Sequence, residues 1–127
     1  MLFRSWSVDV RITLNPAQST QDLNLSASTT NAQATRTTNT FTRFFSNDVM
    51  TVSLGQQGGF GQTVTIAARL NPEFNTDNLT FYAYDRETNT YRQIREPNYR
   101  IDSNGYVHFD TAMGGDIIIS NEALARR

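Results

Sequence analysis

Cysteine is absent from this chain of 127 residues, which excludes disulfide bonds, thiolate metal ligands and cysteine nucleophiles. Lysine is absent too, since all 11 basic residues are arginines, so isopeptide bonds between lysine and asparagine side chains cannot form. The chain has one histidine, His108, and a two-histidine or thiolate site for a transition metal is therefore excluded. We predict no metal site and no cofactor.

Neither sign of charge dominates the chain, because the 11 basic residues face 12 acidic ones, for a net charge of −1. A balanced chain has no long-range field to attract a polyanion, so we expect no nucleic-acid partner. No stretch approaches the ~20 consecutive apolar residues that a membrane helix needs, and we expect no membrane insertion. Residues 1–127 are expected to form one domain of a larger secreted or surface protein.

Alternation of apolar and polar residues predicts β-strands along most of the chain. From Ser7 to Leu14, and again from Gln62 to Leu70, every second residue is apolar, which is typical of a strand with one buried face. Asp116 to Ser120 contains three consecutive isoleucines and suits a strand that is covered on both faces. Further strands are predicted at residues 41–45, 49–54, 79–85, 90–94, 99–102 and 106–110.

Polar side chains dominate residues 17–39, which we interpret as a loop-like segment with at most one short edge strand, around Asp22 to Ser28. Helical character is predicted only for Glu122 to Arg127. The pair Asn104-Gly105 predicts a tight hairpin turn with positive φ angles. A second hairpin is predicted where Arg86 to Asn89 joins two strands. Together these patterns predict an all-β, antiparallel sandwich.

The C-terminal third, from about Leu79 to Leu124, resembles β-sandwich modules of extracellular surface proteins from Gram-positive gut bacteria. The resemblance is carried by FYAYD at 81–85, ETNTY at 87–91, DSNGYVHF at 102–109 and DIIIS at 116–120. It implies an immunoglobulin-like antiparallel β-sandwich of about eight strands. It also implies an extracellular or cell-surface location.

Catalytic chemistry has little support in the sequence. A Ser-His-Asp arrangement would have to use His108, which alternation places on the wetter face of its strand, and no G-x-S-x-G elbow accompanies Ser103 and Asp102. The run from Asp102 to Gly105 is similar to the start of a calcium loop, but it lacks the later glutamate, and we prefer a hairpin turn. We predict no catalytic residues and no enzymatic activity.

Aromatic and polar side chains at alternate strand positions are the best candidates for a binding site. Tyrosine rings stack on the C–H faces of sugars, while charged side chains hydrogen-bond to hydroxyl groups. The same tyrosines could instead serve as packing partners across strands or beneath a second sheet. The predicted ligand-binding residues are Tyr82, Tyr84, Arg92, Tyr106 and His108.

We therefore expect a non-catalytic structural or interaction module of a bacterial surface protein, acting as a spacer, an adhesin segment or a scaffold. Its expected partners are neighbouring domains of a parent protein and, as further candidates, a glycan or a host or surface protein. The alternative is a carbohydrate-binding module that uses the exposed tyrosine face.

Overall fold

Ten β-strands and one α-helix form in the part of the chain that the computed structural model describes, which comprises residues 3–6, 10–14, 27–55, 59–70, 73–85, 87–95 and 97–125. The helix, α1, spans Ala32–Phe44. The strands are β1 (Phe3–Trp6), β2 (Val10–Leu14), β3 (Ala27–Ser28), β4 (Val49–Leu54), β5 (Gly59–Arg69), β6 (Thr80–Asp85), β7 (Thr90–Gln93), β8 (Arg100–Ile101), β9 (Tyr106–Met113) and β10 (Asp116–Ser120).

These strands are arranged as two antiparallel sheets of five strands each, packed against each other. Sheet A has the order β1-β2-β5-β9-β8, and sheet B has the order β3-β4-β10-β6-β7. Consecutive strands such as β4 and β5 or β9 and β10 belong to different sheets, so the chain repeatedly crosses between the layers. The predicted antiparallel β-sandwich is confirmed. About eight strands were expected, and two of the ten, β3 and β8, contain only two residues each.

A hydrophobic core fills the space between the sheets. The inward-facing residues of β5 alternate from Val64 to Ala68 as the sequence predicts, and they pack in one cluster with Ile117 and Ile119 of sheet B. The rings of Phe81 in sheet B and Phe109 in sheet A lie 4.7 Å apart, and neither residue is exposed to solvent. The two sheets are therefore joined by direct aromatic contact.

Helix α1 lies on the outer face of sheet B. It begins after Asn31, whose side-chain Oδ1 accepts a hydrogen bond of 2.7 Å from the N–H of Ala34, the usual contact of a helix N-cap. Ala34, Thr37 and Phe41 are buried at helical spacing, and Phe41 packs with Ile118 of β10. Since the residues on either side of Ile118 face the core, the prediction that this strand is covered on both faces is confirmed.

Two predictions fail at this helix. A loop-like segment was expected over residues 17–39 and a strand from Phe41 to Phe45, whereas residues 32–44 are helical. The threonine-rich composition resembles that of a loop because threonine has a low helix propensity. In the helix, the hydroxyls of Thr40 and Thr42 donate to the carbonyls of Arg36 and Thr38, and the burial of Phe41 stabilises the element.

The segment from Glu122 to Ala125 is not helical, and here too the prediction is wrong. The Asn47 side-chain amide donates to the carbonyls of Glu122 and Ala123, and its oxygen accepts from the N–H of Ala125 at 2.8 Å. These contacts take the place of hydrogen bonds within a helix. Of the other predicted elements, residues 7–9, 17–26, 86 and 126–127 lie outside the described residues.

Both predicted hairpins are present. In the first, Asp85 pairs with Thr90 across the turn between β6 and β7. In the second, the N–H of Asp102 donates to the carbonyl of Tyr106 at 2.9 Å, which closes a three-residue loop. Positive φ was expected at the Asn-Gly pair, but of its two residues Gly105 alone has a positive φ, 84°. A loop of this length needs one left-handed residue rather than two.

Candidate functional site

The predicted tyrosine face is divided between the two sheets. Tyr82 and Tyr84 lie on β6 of sheet B, whereas Tyr106 and His108 lie on β9 of sheet A. Within each strand the neighbouring residues face the core, so both pairs point outward, and they do so from opposite sides of the sandwich. The four side chains therefore form two separate surfaces instead of one platform.

Arg92 lies on β7, opposite Ala83 of β6, and Ala83 packs against the core between the sheets. Its neighbour Tyr91 is paired with Tyr84 on the outer face. Because successive side chains of a strand alternate between its faces, Arg92 and Tyr84 are on opposite faces of this hairpin. Arg92 nevertheless lines a groove of about 580 Å³ at the end of the sandwich together with Met113, and Tyr84 and Tyr91 line the edge of the same groove.

The two tyrosines of β6 have different surroundings. Tyr82 is 7% exposed, and its hydroxyl oxygen accepts a hydrogen bond of 3.1 Å from the N–H of Leu124. It therefore packs under helix α1 and the C-terminal segment, which is the packing role that the sequence left open. Tyr84 is partly exposed, its hydroxyl donates to Oδ1 of Asn89 at 2.8 Å, and its ring lies edge-on to Phe41 with centroids 5.2 Å apart.

An aromatic cleft lies between helix α1 and the β6–β7 hairpin. Its volume is about 460 Å³, within the range of small-molecule sites. Two of its rings are exposed, Phe44 at 60% and Tyr91 at 43%. We call it the aromatic cleft, and its described lining residues are Thr40, Phe41, Phe44, Phe45, Tyr84, Asn89 and Tyr91.

Of the residues that line the aromatic cleft, the sequence predicted Tyr84 alone. Tyr91 could have been found, because the predicted hairpin of β6 and β7 places it directly opposite Tyr84. The phenylalanines could not, because residues 41–45 were interpreted as a strand, and alternation in a strand places Phe41 and Phe44 on opposite faces.

His108 is also less exposed than its predicted wet-face position implies, at 7%. Its Nε2 lies 2.8 Å from Oδ2 of Asp102, and its Nδ1 lies 3.5 Å from a guanidinium nitrogen of Arg100. Arginine can only donate, so in this contact Nδ1 is the acceptor and Nε2 carries the proton that is donated to Asp102. Both ring nitrogens are thus engaged with charged side chains.

Asp102 is the centre of the turn between β8 and β9. Its Oδ1 accepts from the N–H groups of Asn104 at 2.8 Å and Tyr106 at 3.0 Å, while its Oδ2 contacts His108. The hydrogen bond from His108, followed by that from the Tyr106 backbone, lowers the pKa of Asp102 from 3.8 to about 2. The carboxylate therefore holds the turn in place, as expected for a hairpin rather than a calcium loop.

A buried carboxylate, Asp116, connects helix α1 to sheet B. It is inaccessible to solvent, and its Oδ2 accepts from the hydroxyl of Thr37 at 2.7 Å and from the side-chain amide of Gln33 at 3.3 Å. Among the described residues, no group of three or more histidine or acidic side chains is arranged to hold a metal ion. No helix in the same part of the chain is long and apolar enough to cross a membrane.

No family model matches the chain, and neither the curated proteins nor the solved structures contain a significant match.

Proposed function

We propose that the chain is a non-catalytic interaction module of a bacterial surface protein, and that its contact site is the aromatic cleft. The proposal is carried by one observation: Phe44 and Tyr91, two large side chains left exposed by the fold, line the same cleft. Exposed aromatic residues in a concave site are typical of binding surfaces.

Three titratable side chains, Asp102, His108 and Asp116, support the same proposal because they serve the fold. Asp102 and His108 hold the turn between β8 and β9, and Asp116 holds the helix. Within the described part of the chain, the ring nitrogens of His108 contact Asp102 and Arg100, and neither contact is with a hydroxyl group that His108 could activate as a nucleophile. The immunoglobulin-like class, the extracellular location and the parent surface protein are inferred from the sequence resemblance of the C-terminal third.

A bead-adhesion assay tests this function. Magnetic beads that carry the whole chain are applied to surfaces coated with plant or mucin polysaccharides and with fibronectin or collagen. We expect retention on at least one coating, reduced several-fold by the double substitution Phe44→Ser and Tyr91→Ser. The matched control is Ile101→Ser, which removes an apolar side chain of similar exposure, 39%, from sheet A.

A passive spacer is the competing structural function, and the same assay distinguishes it. If the beads are retained on no coating, or if the double variant is retained as well as the unaltered chain, the aromatic cleft is not a contact site. Circular dichroism of each variant confirms that it has folded before its retention is compared.

A further inference from the structure

We infer that the aromatic cleft binds an uncharged saccharide, which names the ligand class of the proposed function and rests on it. The residues predicted for a carbohydrate site are Tyr82, Tyr84, Arg92, Tyr106 and His108. Tyr82 is buried, Tyr106 and His108 lie on the other sheet, and Arg92 lines the adjoining groove. The aromatic cleft differs from the predicted site in position and in composition, and of the predicted residues it keeps Tyr84.

The rings of Tyr84 and Tyr91, two walls of the cleft, are held in place by contacts with other aromatic rings. The ring of Phe41 lies 5.6 Å from Tyr91 at an interplanar angle of 73°, and 5.2 Å from Tyr84 at 86°. Tyr91 also meets the ring of Phe45 at 5.9 Å. Such edge-to-face contacts fix the ring planes before a ligand arrives, so little conformational entropy is lost when a sugar ring stacks on them.

Hydrogen-bonding groups at the cleft include both donors and acceptors. The hydroxyls of Tyr84 and Thr40 donate their hydrogens to Asn89 and to the carbonyl of Arg36, so their oxygens retain acceptor lone pairs. Asn89 accepts the hydrogen bond from Tyr84 through its Oδ1, and the two N–H donors of its side chain take no part in that bond. A sugar hydroxyl can both donate and accept a hydrogen bond, so it can pair with the acceptor oxygens as well as with the N–H donors of the cleft.

Charge argues against other ligand classes. None of the described lining residues carries a charged side chain, so these residues offer no counter-charge to a sulfated or uronic-acid polymer. A proline-rich peptide also docks on aromatic grooves, and its carbonyls can accept from the Asn89 amide. Proline has no N–H, however, and cannot donate to the oxygens of Tyr84 and Thr40. An apolar helix matches neither the donors nor the acceptors.

Isothermal titration of the whole chain tests this inference. The neutral probes are cellotetraose, xylotetraose, mannotetraose and N-acetylchitotetraose, and the rival probes are trigalacturonate, a heparin fragment and a decaproline peptide. We expect at least one neutral probe to bind, and the rival probes to bind more weakly or not at all.

Three variants locate the binding in the aromatic cleft. Phe44→Ser removes an exposed ring, and Asn89→Gly removes the amide while preserving the positive φ of 55° that this position adopts. Each is expected to raise the Kd of the neutral probe about tenfold, in the range of a contact that matters for affinity. Ile101→Ser, on sheet A, is expected to leave the Kd unchanged.

The possible failures are distinguishable. If decaproline or a charged probe binds best and Phe44→Ser abolishes that binding, the saccharide is wrong and the interaction module remains. If a neutral saccharide binds equally well to Phe44→Ser and Asn89→Gly, the site is wrong. If no probe binds and the beads adhere to protein coatings in a Phe44-dependent way, the saccharide inference fails alone. Failure in both assays overturns the proposed function as well.

Discussion

At the scale of single residues, Asp102, His108 and Asp116 are engaged in contacts that hold a turn and a helix. Asp102 accepts three hydrogen bonds, two from the backbone of its own turn and one from His108. The ionised form of this carboxylate is thereby favoured in the folded chain. The pH dependence of stability is the measurable consequence.

We expect Asp102→Asn to lower the stability of the chain in a pH-dependent way. The folded pKa of Asp102 is about 2, below its ordinary value of 3.8, so its contribution is fully present above 3.8 and is lost as the pH falls towards 2. The difference in urea midpoint between the unaltered chain and the variant should therefore shrink over this interval. Urea titrations at a series of pH values measure it, and a constant difference would contradict the role of the ionised carboxylate.

Gly105, in the same turn, has a backbone conformation that residues with a side chain rarely adopt. Its φ of 84° is left-handed, so Gly105→Ala should lower the free energy of unfolding by about 1 kcal/mol. Gly59→Ala is the matched control, because a Cβ there meets the carbonyl of Ala112 at an ordinary 3.5 Å. Chemical denaturation should separate the two variants, and equal losses would mean that the turn relaxes to accept a side chain.

At the scale of elements, helix α1 covers the outer face of sheet B. Its N-terminal half is attached to sheet B by polar contacts, through Thr37 to Asp116 and through Thr38 to Thr51 at 2.8 Å. Its C-terminal half is attached by aromatic packing around Phe41. The aromatic cleft is found at this second half, where the helix meets the β6–β7 hairpin.

The polar attachment is tested by Thr37→Val, which keeps the shape of the side chain and removes the donor to the buried Asp116. Loss of a hydrogen bond to a buried carboxylate should cost about 1–3 kcal/mol. Thr35→Val makes the same change at an exposed position of the same helix and should stay within about 0.5 kcal/mol of the unaltered chain. Similar urea midpoints for both variants would show that the bond to Asp116 contributes nothing.

The aromatic attachment predicts a second contrast within the helix. Phe41 is 3% exposed and Phe44 is 60% exposed. We expect Phe41→Ala to cost about 3–5 kcal/mol, in the range of buried phenylalanines, and Phe44→Ala to have little effect on the melting temperature. A large loss for Phe44→Ala would mean that this ring belongs to the fold and is not available to a ligand.

Helix α1 was not predicted from the sequence, whereas several strands were. The strands β4 and β10 have the predicted bounds because their β-branched residues pack on a sheet, whatever their partners are. The helix was missed because its buried stripe consists of Ala34, Thr37 and Phe41, of which only the last is a strong apolar signal. Asn31, in the position of an N-cap, was the local sign of its start.

At the scale of the whole molecule, the order of the strands determined which predicted residues could act together. Alternation correctly placed Tyr82 and Tyr84 on one side of β6 and Tyr106 and His108 on one side of β9. Whether these two sides meet depends on which sheet each strand joins, and that is decided by long-range pairing such as β6 with β10 and β9 with β5. Periodicity within a strand contains no information on that pairing.

The proposed contact site lies where helix α1 meets the β6–β7 hairpin at the surface of the sandwich. Its rings belong to α1, β6 and β7, which are distant in sequence and are brought together by the fold. A ligand that binds there should leave the outer face of sheet A untouched, because that face is on the other side of the core.

Chemical-shift mapping tests this central claim most directly. The ¹⁵N-labelled chain is titrated with the neutral saccharide that binds most tightly, and the shifts of its backbone amides are followed. We predict that the largest changes occur at residues 40–45, 84 and 89–91, around the aromatic cleft. Changes confined to residues 100–110, where Tyr106 and His108 lie on sheet A, would contradict the claim.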